Sequence, residues 1–229
     1  MHFNIRLMIA LCASVLMSTS WLYAATPTLN LSEQTEAKQA SNHPTQQMVL
    51  HTEWLKQLMM ALYAAHPEEL TKSTTVSADE MVQWVFEGPF NWKFDAIRKK
   101  QHIEAIRMAF DENTTADRVL SLITGLYTMT ARAYGQGTPC PYPCRARPQA
   151  LYRAARNLEL VSSYLTASNW HENRSDRATS LHNQNSIGID ILLRMIAVLD
   201  EDASALAAQS NSALTKESID TTHPVLFDF

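Results

Sequence analysis

Glycine is scarce here, five in 229 residues, and runs of alternating β-branched residues are missing. No phosphate-cradling glycine loop can be drawn, and the apolar spacing has to be read on a helical period instead. Cysteine is nearly absent too: Cys12, Cys140 and Cys144 are all there is. For a zinc site the pair at 140 and 144 would need two more ligands, and the one other cysteine, Cys12, lies in the N-terminal apolar stretch. An excess of basic charge is also lacking, with 19 Lys and Arg against 23 Asp and Glu and a formal charge of −4. That balance excludes a general nucleic-acid binder, which needs a basic face to neutralise phosphates. HExxH, GxSxG and the Glu-x-x-His pattern of di-iron bundles do not occur, and no internal repeat is present. Beyond the first 25 residues no stretch stays apolar for the length of a membrane span.

What is present begins with MHFNIRLMIALCASVLMSTSWLYAATP. His2 and Arg6 give a short basic start, Leu7 to Leu16 is apolar apart from Ser14, and small residues follow up to Ala24 and Ala25. This is the order of a secretory signal peptide, and it predicts export to a periplasmic or extracellular space with cleavage near Ala24 or Ala25. The cleavage motif is imperfect, since Leu22 or Tyr23 would stand three residues before the new terminus, so an uncleaved anchor is the competing reading. Its apolar core, about ten residues, is short for a span. A lipidated Cys12 is disfavoured by Leu11, which occupies a position that wants a small residue. Only Arg6 of the charged residues lies in the leader, so its removal takes the formal charge from −4 to −5.

The expected organisation is a signal peptide over 1–25, a flexible polar linker over 26–46, a helical domain over 47–202 and a weakly structured tail over 203–229. Three- and four-residue apolar steps predict helices over 47–65, from Ser77 to before Gly88-Pro89, over 94–110, over 116–134, from Pro148 to Thr166 and over 177–200. Thr114 or Thr115 is expected to cap the fourth, whose nearly all-round apolar surface marks it as central, and Gly125 in its middle would admit a close neighbour. The fold class is all-α: a single-domain bundle or orthogonal array of about six helices. The methionines after the leader read as packing.

The stretch GTPCPYPCRARP holds Cys140 and Cys144. Two cysteines four apart meet only if the chain reverses between them, and Pro141 and Pro143 pre-set such a reversal. In an oxidising compartment the pair reads first as a structural disulfide, closing a small ring that stabilises by about 2 kcal/mol. The alternative is a thiol-active loop, because Arg145 and Arg147 would favour a thiolate. The letters resemble the CPYC of glutaredoxins with a second proline inserted, but no βαβ pattern surrounds them and no homology is drawn.

Two surfaces stand out for binding. Arg145, Arg147, Arg153 and Arg156 fall within twelve residues, and guanidinium forks suit phosphate or carboxylate on an anionic envelope component or a protein partner. Against this, Glu159 lies three residues from Arg156 and would pair with it. The aromatic run Trp84, Phe86, Phe90, Trp92, Phe94 would form core at a helix corner or line a ligand groove with Trp84, Phe90 and Trp92. Glu87 and Asp95 beside it are the carboxylates that an envelope-directed hydrolase would need. Asp190 and Arg194, four apart in the favourable order, read as a structural ion pair on a mostly buried helix, with Arg132 as an alternative partner for Asp190. His51, His66, His102, His171 and His182 are scattered, so no metal and no cofactor is implied. The final HPVLFDF has no strands around it to suit a β-barrel, and it is expected to dock into a groove or meet a partner. The sequence therefore predicts an exported helical protein that acts by binding, without a catalytic motif.

Overall fold

The computed structural model describes residues 31–136, 145–167, 178–217 and 226–228, with side chains described within 43–136, 145–166, 186–217 and 226–228. Contacts divide the chain into residues 1–39 and residues 40–229. The described part of the first unit is helix from Leu31. All packing below belongs to the second. The secondary structure of the described residues is all-helical, in seven α-helices: α1 Leu31–Ala65, α2 Pro67–Ser73, α3 Ala78–Glu87, α4 His102–Phe110, α5 Arg118–Ala133, α6 Pro148–Ala167 and α7 Ala178–Gln209. The short α2 adds one to the six expected. No helix among the described residues is long and apolar enough to cross a membrane.

Helix α5 is the centre, as its sequence implies. Val119, Leu120, Leu122, Ile123 and Leu126 are buried, and so are Ser121, Thr124 and Thr130. The helix α4 packs on it, α6 packs on α5, and α7 packs on α6. Gly125 makes the α4 contact possible. A Cβ there would stand 2.6 Å from Ile106 Cγ1, 2.8 Å from Ile106 N and 2.9 Å from the His102 carbonyl, too close for any side chain without moving backbone. From α1, Leu55, Leu58, Met59 and Leu62 enter the same core at helical spacing.

Helix α1 begins at Leu31, inside the expected linker over 26–46, and α7 runs to Gln209, past the expected end at 200 and into the expected tail. Two further local expectations change. The cap of α5 is Asp117, not Thr114 or Thr115: its carboxylate accepts from Leu120 N–H at 2.9 Å. Tyr63 Oη–H donates to it at 2.7 Å and Ser73 Oγ–H also donates to it, partners 54 and 44 residues away that no local pattern reveals. The second change is in the predicted helix over 94–110, which is broken. A 3₁₀ turn, Asp95–Ile97, comes first, Arg98 and Lys99 then take left-handed backbone at φ 55° and 56°, and α4 starts only at His102. The reversal brings Ile97 and Ile103, on either side of Arg98, Lys99 and Lys100, both into the core. Core burial here outweighs the roughly 1 kcal/mol that each left-handed non-glycine residue costs.

The last described segments lie along α6. Gln149, Arg153 and Asn157 form one stripe at four-residue spacing. Gln149 exchanges two hydrogen bonds with the Thr215 backbone, at 3.0 and 2.9 Å, and Asn157 exchanges two with Phe227, at 2.9 and 2.7 Å. Leu226 is buried beside them.

Candidate functional site

The left-handed turn has a consequence for charge. Arg98, Lys99, Lys100 and the first turn of α4 line a cavity of about 430 Å³, joined by Arg107, by Arg132 from the last turn of α5 and by Asp228. That volume lies at the lower end of the range for small-ligand pockets. Backbone bonds set the wall: Arg98 N–H donates to Asp95 O at 2.9 Å, Lys99 N–H to Phe94 O at 2.9 Å, and Lys100 N–H to Ile97 O at 3.1 Å. Gln101 Nε2 donates to the carbonyls of Asn91 and Trp92 at 3.3 and 3.1 Å, tying the wall to the aromatic corner. His102 N–H donates to Thr128 Oγ1 at 2.8 Å, which fixes the start of α4 on α5. Among the described residues, six non-glycine residues have positive φ, and five of them (Asn91, Trp92, Arg98, Lys99 and His102) fall in this one stretch. Backbone strain concentrated in this way is characteristic of binding and catalytic sites.

Five formal cations and two acids, Glu104 and Asp228, line this cavity, and one of the cations, Lys99, is also ion-paired with Asp95 at 3.1 Å. The N-terminus of α4 adds its partial positive charge. Burial, reinforced by the charge of Arg132, holds the His102 imidazole below its ordinary range, while Asp228 pulls the other way. What this arrangement can do is hold an anion of phosphate or carboxylate type, with guanidinium forks and ammonium groups on several sides.

The residues singled out in the sequence are dispersed. Cys140 and Cys144 lie outside the described residues. Arg145 and Arg147 are exposed. Arg153 forks onto Glu217, with Nε at 2.8 Å and Nη2 at 2.5 Å from Oε1, and donates through Nη1 to the Asp228 carbonyl at 3.0 Å. Arg156 pairs with Glu159 at 2.9 Å and with Asp200, and lies over the Tyr152 ring. Both forks are thus occupied within the chain. In the aromatic corner Trp92 stacks on Tyr127 at 3.7 Å and meets Phe86 edge-on at 5.1 Å, while Trp84 and Phe90 are 43% and 45% exposed. Both carboxylates of the hydrolase alternative are exposed, with Glu87 next to Lys56 at 3.6 Å and Asp95 next to Lys99 at 3.1 Å. Asp190 and Arg194 do pair with each other, at 2.6 Å, but on an exposed face of α7 and away from Arg132, which belongs to the cation-lined cavity.

Sequence reading missed Arg107, Arg132 and Asp228 as members of one site, because only tertiary packing joins them. The Arg98-Lys99-Lys100 run lies inside the 94–110 segment, whose spacing reads as one helix that does not form there. The reading also missed a buried polar cluster. His43 Nε2 meets Asp202 Oδ1 at 2.8 Å, Tyr134 Oη–H donates to Asp202 Oδ2 at 2.6 Å, and His51 Nε2 meets the Tyr134 hydroxyl at 3.3 Å. Since that hydroxyl gives its proton to Asp202, His51 donates to it through Nε2–H, and Nδ1 is left as a buried acceptor with no partner. Burial pushes the His51 pKa down to about 4 against a smaller opposing pull from Asp202. Among the described residues no group of three or more His, Cys, Asp or Glu could hold a metal ion. Comparison with family models, with curated proteins and with solved structures finds no match to this chain.

Proposed function

We propose that this chain is an exported, single-domain helical bundle that acts by binding an anionic ligand, and that the cavity walled by residues 98–107, Arg132 and Asp228 is where the ligand sits. The observation that carries the reading is the convergence of Arg98, Lys99, Lys100, Arg107 and Arg132 on one recess in a chain whose formal charge is −4. Like charges gathered against the sign of the whole molecule cost stability unless a counter-charge is present. A bound phosphate or carboxylate supplies it. The Arg153–Arg156 face is the weaker place for the ligand, because its guanidinium groups already have carboxylate partners. Export is supported by the leader-like order of residues 1–25.

The test is calorimetric titration with inorganic pyrophosphate at low salt. Saturable binding that weakens roughly tenfold in Arg132→Gln, and is unchanged in Arg194→Gln, which does not line the cavity, is the expected result. Binding that is insensitive to Arg132→Gln and to Lys100→Gln would remove the cavity from consideration.

A further inference from the structure

We infer that the anion site is the headgroup-contacting part of a membrane-docking surface, and that this protein binds the face of an anionic phospholipid bilayer with Trp84 and Phe90 entering the interface. The inference rests on the anion-site reading above and adds the nature of the partner. Three observations carry it.

The first is where the charge lies. Residues 93–107 contain five cations, Lys93, Arg98, Lys99, Lys100 and Arg107, against Asp95 and Glu104. The complementary partner is a negatively charged surface, and juxtamembrane cations each contribute to binding one. The second is where aromatic rings are exposed. Among the described residues the largely exposed aromatic side chains are Trp84 and Phe90, and both belong to the corner that adjoins the cations. Tryptophan and phenylalanine with one side packed and the other free suit the boundary between headgroups and acyl chains.

The third is that the two parts are fixed to one another. The Phe90 ring rests on the end of α3, where a Cβ on Gly88 would stand 2.6 Å from its Cε2, and the Gly88 N–H bonds the Trp84 carbonyl at 2.9 Å. From Phe90 the chain runs directly into Asn91 and Trp92, whose carbonyls Gln101 of the cavity wall holds. The Trp92–Tyr127 stack then anchors the corner on α5, the helix that supplies Arg132. Exposed aromatics and the cation recess are therefore two ends of one rigid piece of chain. A free anion would need the recess but has no use for the exposed rings.

The experiment is co-sedimentation of the protein, as recovered from the cell, with vesicles of phosphatidylglycerol and phosphatidylcholine in equal parts, beside vesicles of phosphatidylcholine alone. Binding to the anionic vesicles that weakens with salt, and little to the neutral ones, is expected. A retained apolar leader would bind both kinds alike and so cannot imitate this result. Lys99→Gln with Lys100→Gln should lower partitioning roughly 30-fold. Phe90→Ala should lower it roughly fivefold. Arg194→Gln is the charge control and should change it little. If Phe90→Ala does not fold, Trp84→Ser, at an exposed position of α3, asks the same question. Vesicle binding that ignores both aromatic changes would overturn the docking surface. So would saturable pyrophosphate binding with no vesicle binding, which leaves the anion site standing. Failure of both ligands would remove both readings.

Discussion

Acidification should destabilise this protein through one histidine. The His51 ring is fully buried, bonded to Tyr134 through one nitrogen and facing no partner with the other. Protonation would place a positive charge and an unsatisfied N–H among Trp54, Tyr134 and the surrounding core. In the unfolded chain the ring takes a proton near pH 6.5, and in the native state near pH 4. Above pH 6.5 neither state holds the proton and the full stability is present. Below it the unfolded state gains a proton that the native state refuses, so stability falls by about 1.4 kcal/mol per pH unit. The loss levels off once the native ring also protonates, at a total of about 3 kcal/mol. Measured against a stability of about 5–15 kcal/mol for a domain, that is a large share. Urea unfolding of the wild type and of His51→Gln, from pH about 7.5 to about 4.5, tests it. Glutamine keeps a donor for Tyr134 and does not titrate. His102, also held below its ordinary range, contributes in the same direction to both proteins and cancels in the comparison. Two parallel curves would refute the reasoning, as would a His51 ring that titrates near 6.5 by NMR.

Four other outcomes are expected. Gly125→Ala should destabilise by about 2–3 kcal/mol, seen as a lower urea midpoint, because its Cβ meets the backbone of α4 as well as the Ile106 side chain. Asp117→Ala should cost about 2–3 kcal/mol, since the α5 cap is lost while the buried Tyr63 hydroxyl loses its acceptor. Asp228→Asn should strengthen pyrophosphate binding roughly threefold by removing an acid from the cavity wall. An intact mass of protein from its native compartment, with alkylation before and after reduction, should begin near Thr26 and show Cys140 and Cys144 protected until reduced; a mass retaining residues 1–25 or freely reacting thiols would sink export or the disulfide respectively.

Much of the secondary structure was legible from short-range pattern, though not α2 or the start of α1 at Leu31, inside the stretch expected as a linker. Ser77 accepts from Glu80 N–H at 3.2 Å as the capping pattern requires, Pro148 opens α6, and Gly125 admits its neighbour. Legibility failed where a distant partner decides. Asp117 outranks two threonines as a cap because Tyr63 and Ser73 hold it from across the core. The 94–110 segment breaks because Ile97 and Ile103 must both reach the interior, a demand that the polar Arg98-Lys99-Lys100 run conceals. The site suffered most. Its cations come from α4, α5 and the turn before α4, and periodicity within any one of these says nothing about the other two. The four arginines of 145–156 drew attention because they are close in sequence, yet Arg153 and Arg156 are engaged by Glu217, Glu159 and Asp200.

The stripe on α6 bears on how the protein is made. Gln149 and Asn157 treat the backbone at Thr215 and Phe227 much as a neighbouring strand would, and Arg153 grips the carbonyl of Asp228 between them. These residues leave the ribosome, and cross any membrane, long after Arg98 and Arg132. Until then Glu104 is the one acid that lines the recess beside the cations, and Asp228 joins it last. During synthesis the recess is thus at its most attractive to anions before it is complete, and arrival of the latch lowers that attraction as it locks the fold. A chain cut short between Thr215 and Phe227 would carry the more strongly positive recess and leave Asn157 without Phe227.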